Sequence, residues 1–216
     1  MTKQSFERIK ETGVIAILRG VDPDQIVDVA AAVVDGGVTA LEVTADTPGV
    51  TDAIETLSNS FTDVSVGAGT VLDSETTRAV QLAGAEFVVT PTVNKNVIET
   101  CNRYGTAVAP GAFTPTEVMT AYEAGADLIK VFPAKTGGPD HVSAISGPLG
   151  QVPLVPTGGV GPSNAAEYID AGAVAVGAGS AIVSDEAVVN EDYEAITENA
   201  AAMIDAVAEV RKDAVW

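Results

Sequence analysis

Short apolar runs alternate with longer amphipathic stretches along the whole chain. The runs have strand length and are rich in Val and Ile. They span Val14 to Arg19, Thr39 to Thr44, Val64 to Ala68, Glu86 to Thr90, Thr106 to Ala109, Asp127 to Phe132, Leu154 to Thr157 and Val174 to Gly177. Between them, apolar residues recur at helical spacing, as in Asp24 to Asp35, Ser74 to Leu82, Thr116 to Ala124 and Ser163 to Ala171. Asp22-Pro23, Thr114-Pro115 and Gly161-Pro162-Ser163 read as helix openings, because proline at the first helical position gives up a donor that has no partner there anyway. Asp192 to Trp216 reads as a closing helix, its acids interspersed with Ile196, Met203, Ile204 and Val207.

A recurring phrase punctuates this pattern. Helix-like stretches end in Gly-Gly-Val (36–38) and in Ala-Gly-Ala at 83–85, 124–126 and 171–173, and each phrase leads into a β-rich run. Glycine just past a helix end accepts the left-handed backbone that closes the last turn. Gly37, Gly84, Gly125 and Gly172 lie 47, 41 and 47 residues apart. Each interval holds two strand–helix units, so the chain carries about eight. Eight βα units predict an α/β fold, the (β/α)8 TIM barrel, as a single domain over residues 1–216. An open doubly wound sheet is the other arrangement of such units. The even repeat, with no composition break to mark a second half, speaks against it.

One strand breaks the apolar rule. Lys130 interrupts Leu128-Ile129-Lys130-Val131-Phe132-Pro133, in a chain with only six lysines. An ammonium in a strand core costs several kcal/mol unless it is paired or deprotonated. Desolvation favours the neutral amine, which is a nucleophile, so a strand-borne lysine points to Schiff-base chemistry on a carbonyl. In a barrel, reactive residues sit at the C-terminal strand ends. Read in order, those ends give Arg19, Glu42 with Thr44, Gly69-Thr70, Thr90-Pro91, Pro110-Gly111, Lys130 with Phe132-Pro133, Thr157-Gly158-Gly159 and Gly177 to Ser180. Side chains alternate along a strand, so Lys130 shares a face with Leu128 and Phe132, and Glu42 with Ala40 and Thr44. With both faces inward, an amine meets a carboxylate across the lumen. The plain alternative is a buried ion pair with no chemistry.

Composition narrows the function classes. The chain is 46% hydrophobic with mean hydropathy +0.25 and has no apolar run of membrane-spanning length. The N-terminal Met1 to Glu7 lacks the apolar centre of a signal peptide. Cys101 is the sole cysteine, so no intrachain disulfide forms, and a cytoplasmic location is the default. Thirty Asp and Glu face eleven Lys and Arg, for a net charge of −19. Such a surface repels nucleic acid and anionic lipid, which excludes both as partners. The acids are spread evenly rather than gathered in a tail. We read them as the skin of a salt-adapted protein, the alternative being an ordinary acidic cytosolic one.

Gly158-Gly159 follows the seventh strand and Gly177-Ala178-Gly179-Ser180 the eighth. Barrel phosphate sites are often built from these two loops, where glycine lets backbone N–H groups approach the anion. A phosphate site beside an inward lysine predicts an enzyme acting on a phosphosugar carbonyl. Ile-Ala-Ile-Leu-Arg-Gly (15–20), Leu-Glu-Val-Thr (41–44), Val-Gly-Ala-Gly-Thr-Val-Leu (66–72), Val-Thr-Pro (89–91), Ile-Lys-Val-Phe-Pro-Ala (129–134), Pro-Thr-Gly-Gly-Val (156–160) and Val-Gly-Ala-Gly-Ser (176–180) carry a family likeness. In these motifs and their order the chain resembles the 2-keto-3-deoxy-6-phosphogluconate (KDPG) and 4-hydroxy-2-oxoglutarate aldolases, from Val14 to about Ser180.

The resemblance implies a class I aldolase cleaving the phosphorylated keto sugar acid to pyruvate and glyceraldehyde 3-phosphate, as a homotrimer of barrels without metal or other cofactor. It makes Lys130 the Schiff-base lysine and Glu42 the general acid/base. Arg19 and Thr70 hold the pyruvate-like end and its carboxylate, and Gly158, Gly159, Gly179 and Ser180 hold phosphate. Pro91, Phe132 and Thr157, at neighbouring strand ends, complete the expected substrate-binding set. One departure stands out. Many KDPG aldolases follow Glu-Val-Thr with Leu-Arg-Thr, whose arginine helps bind the substrate carboxylate; here the residues are Ala45-Asp46-Thr47. The related phosphogalactonate aldolases also lack that arginine, so the epimer at C4 is left open.

The remaining candidates read as structural. His141, the only histidine, is expected at the surface, and one histidine does not make a metal site. Cys101 is expected to pack as a small hydrophobe. Phe132 walls the imine pocket or simply fills the barrel. Lys135 is a solvated loop charge or a phosphate contact, and Trp216 packs or frays. A phosphate-binding isomerase or synthase explains the glycines but not Lys130, and a non-catalytic phosphosugar sensor predicts binding without pyruvate release.

Overall fold

A computed structural model of the chain describes residues 4–211. Strands β1 (Val14–Leu18), β2 (Ala40–Thr44), β3 (Ser65–Gly69), β4 (Phe87–Val89), β5 (Ala107–Ala109), β6 (Gly111–Ala112), β7 (Ile129–Val131), β8 (Leu154–Pro156) and β9 (Val176–Ala178) lie within or beside the apolar runs. The helices are α1 (Gln4–Thr12), α2 (Ile26–Asp35), α3 (Val50–Ser60), α4 (Ser74–Leu82), α5 (Lys95–Tyr104), α6 (Pro115–Glu123), α7 (Ala134–Ser146), α8 (Ala165–Asp170), α9 (Asp185–Val189) and α10 (Tyr193–Arg211). The fold is α/β, a parallel sheet curled into part of a barrel. Its strands run in the order β5-β4-β3-β2-β1-β9, and a second parallel sheet follows the order β6-β7-β8.

The uniform eight-stranded ring expected from the repeat is therefore interrupted. Pro110 separates β5 from β6; it has no N–H to donate, and the ladder breaks there. Its carbonyl still accepts from Lys130 N at 3.0 Å, and Phe132 N reaches Ala112 O at 3.0 Å. On the other flank, β8 meets the β9 segment through isolated bridges, Leu154 to Ala173 and Thr157 to Gly177.

The repeating glycine phrase is a helix stop at all four positions. Gly37, Gly84, Gly125 and Gly172 have φ of +95°, +106°, +95° and +100°. In all four the next residue reaches back five positions: Val38 N to Val33 O, Ala85 N to Val80 O, Ala126 N to Ala121 O and Ala173 N to Tyr168 O, at 3.4, 2.9, 3.1 and 3.2 Å. Only a left-handed residue brings that N–H under the last turn. At the other end of a unit, Thr114 opens α6 with a reciprocal capping box to Glu117 and Pro115 in the first turn. Hydrogen bonds from Phe113 N, Thr114 N and the Thr114 hydroxyl hold the Glu117 carboxyl below its ordinary pKa. The other two expected openings shift: Pro23 and Pro162 lie in turns, and the helices begin at Ile26 and Ala165. The sequence pattern did not mark α1, and Trp216 lies outside the described residues.

Alternation along the strands divides the core in two. One cluster, including Leu41, Val43, Ile54 and Val33, sits between sheet and helices. A smaller one, with Ile15, Ala40, Phe87, Val89, Leu128, Val155 and Ala175, fills the inside of the curl, and α1 adds Ile9 to it. Phe87 presses on Gly67 so closely that a Cβ there would lie 2.5 Å from the ring. The inner cluster is the floor on which the polar residues two positions further along β2 and β7 rest.

Candidate active site

Lys130 is the middle residue of β7, in register with Gly111 on one side and Val155 on the other. Its side chain follows Leu128 on the inner face, and the residue is only 6% exposed. Its Nζ lies 4.9 Å from the centre of the Phe132 ring. Glu42 is the middle residue of β2, in register with Ile17 and Gly67, and is 2% exposed. Burial raises its pKa above the ordinary carboxylate value, an effect partly opposed by the positive charges of Lys130 and Arg19. Its Oε1 has no hydrogen-bond partner. No ion pair within 4 Å ties it to Lys130 among the described residues, so the two groups share a cavity without being locked together. Gly69 makes the room: a Cβ there would fall 1.8 Å from Glu42 Oε1.

A cavity of about 530 Å³ opens above the inner core, and all eleven residues singled out from the sequence line it. Lys130 and Glu42 are buried in its wall, and Phe132 is partly exposed there. Arg19, just past β1, lines it too. Its Nη1 pairs with the Asp46 carboxylate, and its Nη2 donates to the Thr70 hydroxyl at 2.9 Å. Thr70 adopts a left-handed backbone, φ +56°, uncommon for a β-branched residue. Pro91 borders the same cavity.

Thr157, Gly158, Gly159, Gly179 and Ser180 line the cavity as well. Gly158 and Gly159 have φ of +93° and +80°, a left-handed backbone that favours glycine. Asn164 staples their loop, donating to Gly159 O at 3.0 Å and accepting from Gly161 N at 2.9 Å. A Cβ on Gly159 would strike that of Lys135 at 2.6 Å, so the stem of this exposed lysine lies against the loop. Successive backbone N–H groups in a glycine-rich turn of this kind can receive an anion.

Sequence reading missed three lining residues, Ile17, Val183 and Asp185. Ile17 was within reach, since it sits two positions before Arg19 on the same strand face; Val183 and Asp185 lie in a turn and a five-residue helix with no periodic signal. His141 is corrected: it is half-buried, its Nε2 is 2.7 Å from Phe113 O, and its ring stacks on Phe113 at 4.4 Å. Cys101 is buried within α5 as a core residue. Among the described residues, no cluster of three or more His, Cys, Asp or Glu is arranged to hold a metal, and no helix is long and apolar enough to cross a membrane.

A strand-borne lysine and a buried carboxyl facing one cavity define an aldolase-type site. The family model of KDPG and KHG aldolases matches residues 6–199. The chain is 39% identical over 168 residues to the 2-dehydro-3-deoxy-6-phosphogalactonate aldolase of Escherichia coli K12, covering 77% of this chain and 82% of that one. It is 35% identical over 193 residues to the 2-dehydro-3-deoxy-phosphogluconate aldolase of Treponema pallidum, covering 89% and 92%. The crystal structure of KDPG aldolase from Legionella pneumophila, with pyruvate captured as a covalent carbinolamine, superposes with a TM-score of 0.86 at 33% identity, covering 93% of this chain and 98% of that one. The chain belongs to the KDPG and KHG aldolase family, and with it to the lyases.

Proposed function

We propose that this chain is a class I aldolase that cleaves 2-dehydro-3-deoxy-6-phosphogluconate to pyruvate and D-glyceraldehyde 3-phosphate. The observation that carries the reading is the burial of Lys130 and Glu42 at 6% and 2% exposure around one cavity. Lys130 Nζ attacks the C2 ketone, and loss of water from the carbinolamine, with protons relayed by Glu42, leaves a protonated imine. Glu42 then takes the C4 hydroxyl proton as the C3–C4 bond breaks. The bond electrons pass into the imine, giving an enamine, and the aldehyde departs. Return of a proton to C3 and hydrolysis release pyruvate and regenerate the amine. Arg19 and Thr70 take the carboxylate end, Pro91 and Phe132 wall the pocket, and Thr157, Gly158, Gly159, Gly179 and Ser180 receive the phosphate.

The same reading has a single domain whose units close into a full (β/α)8 barrel, supported by the bridges from β8 to the β9 segment and the Pro110 carbonyl contact to Lys130. It also has a homotrimer in the cytoplasm, which light scattering tests for assembly. The phosphogalactonate epimer is the second reading, favoured by Asp46 standing where many phosphogluconate enzymes have arginine. Borohydride added during turnover with pyruvate is expected to add the pyruvyl mass to the Lys130 peptide, and an unmodified Lys130 defeats the proposal. Cleavage rates on the two epimers, compared side by side, decide between the readings.

A further inference from the structure

Asp46 belongs to no step of the reaction, yet among the described residues it is one of two side chains that hold Arg19. Its carboxylate pairs with Nη1 while the Thr70 hydroxyl accepts from Nη2 at 2.9 Å. The arginine side chain is 55% exposed and Asp46 50% exposed, so neither is fixed by packing. Without these two partners the guanidinium would have the rotamer freedom of an ordinary surface arginine, which is lost on binding. A planar guanidinium recognises a carboxylate through the orientation of its plane, and a carboxylate on one edge leaves the remaining N–H groups aimed elsewhere.

We infer that Asp46 is a positioning residue that orients Arg19 toward the carboxylate of the carbonyl substrate, taking over by an indirect route a task that a second arginine would perform by direct contact. The inference rests on the imine reading above. It predicts that Asp46 affects the affinity for carboxylate-bearing carbonyls and leaves the bond-breaking step alone, because Lys130 and Glu42 are held by β7 and β2 rather than by the Asp46 loop.

The test is borohydride trapping on the full chain, with pyruvate and with hydroxyacetone, a ketone that has no carboxylate. Asp46→Ala is expected to raise the half-saturating pyruvate concentration about fivefold, as loss of an exposed ion pair allows. The maximal labelling of Lys130 and the hydroxyacetone curve should stay at wild-type values. Asp46→Asn, which still accepts a hydrogen bond from Arg19, is expected to recover most of the loss. A half-saturating concentration unchanged in both variants overturns the inference. One that falls in both also overturns it, by making Asp46 a competitor for the guanidinium. A parallel loss with hydroxyacetone would show general damage to the site and overturn it too. Wild-type protein that gains no mass at Lys130 with either ketone fails the imine reading itself, and this inference falls with it.

Discussion

At the scale of single residues, the site depends on one carboxyl that the fold keeps dry. Glu42 is placed by strand alternation, given room by Gly69 and left with an unpartnered Oε1. Burial holds its pKa above the unfolded value, so the folded state binds the proton more readily between those two values. Stability then declines as pH rises through that window, and above it the ionised Glu42 burdens the fold. Glu42→Gln should lower kcat by about 10²–10⁴-fold while matching or exceeding the wild-type Tm at pH 7. A rise of about 2–4 °C corresponds to each 1 kcal/mol regained in a chain of this size. The difference in Tm should shrink toward pH 4, where wild-type Glu42 is itself protonated. In the wild type, kcat should fall on the acid side at a pH above the usual carboxylate range, a limb absent in Glu42→Gln. A variant less stable than wild type at pH 7 would mean that the ionised carboxylate stabilises the fold, contrary to the burial argument.

At the scale of elements, much of the architecture was legible because it is written locally. Strand runs carry their apolar residues in sequence, and the helix stops carry a glycine that the geometry needs. Lys130 and Glu42 were legible for the opposite reason: each breaks the pattern of its own strand. What escaped the pattern depends on partners distant in sequence. The break at Pro110 matters only because β5 and β6 pair with different neighbours, and Arg19 meets Asp46 only after β1 and β2 align. Helix α1 is short and mostly polar, and its value lies in delivering Ile9 to the inner core. Gly37 isolates the local contribution, since a Cβ there has nothing nearer than Ile204 at 3.7 Å. Gly37→Ala should therefore report the left-handed backbone alone, a loss of about 1–2 kcal/mol. That corresponds to a Tm lower by about 2–8 °C, with kcat and KM unchanged. An unaltered Tm would show that the α2 stop does not depend on glycine.

At the scale of the whole molecule, charge is the dominant unbalanced quantity. Thirty carboxylates share eleven lysines and arginines, and the net charge of −19 acts against both compactness and the approach of an anionic substrate. A substrate with a carboxylate and a phosphate carries about two to three negative charges at pH 7. Its encounter with this surface is uphill at low ionic strength, even though Arg19 waits inside. Screening acts first over long distances, because the Debye length falls from about 10 Å at 0.1 M salt to about 3 Å at 1 M. Repulsion across the surface should therefore fade at moderate salt, before the short contacts made within the cavity weaken. KM for the phosphorylated keto sugar acid should fall several-fold as KCl is raised from low salt toward 0.5 M, with kcat nearly constant. Tm should climb by about 5–10 °C between 0.1 and 1 M KCl. Sucrose at matched osmolality separates the causes, since it strengthens burial without screening charge. If sucrose reproduces the rise in Tm, or if KM is flat across the KCl series, the acidic surface is not the reason and the salt-adapted reading of this chain fails.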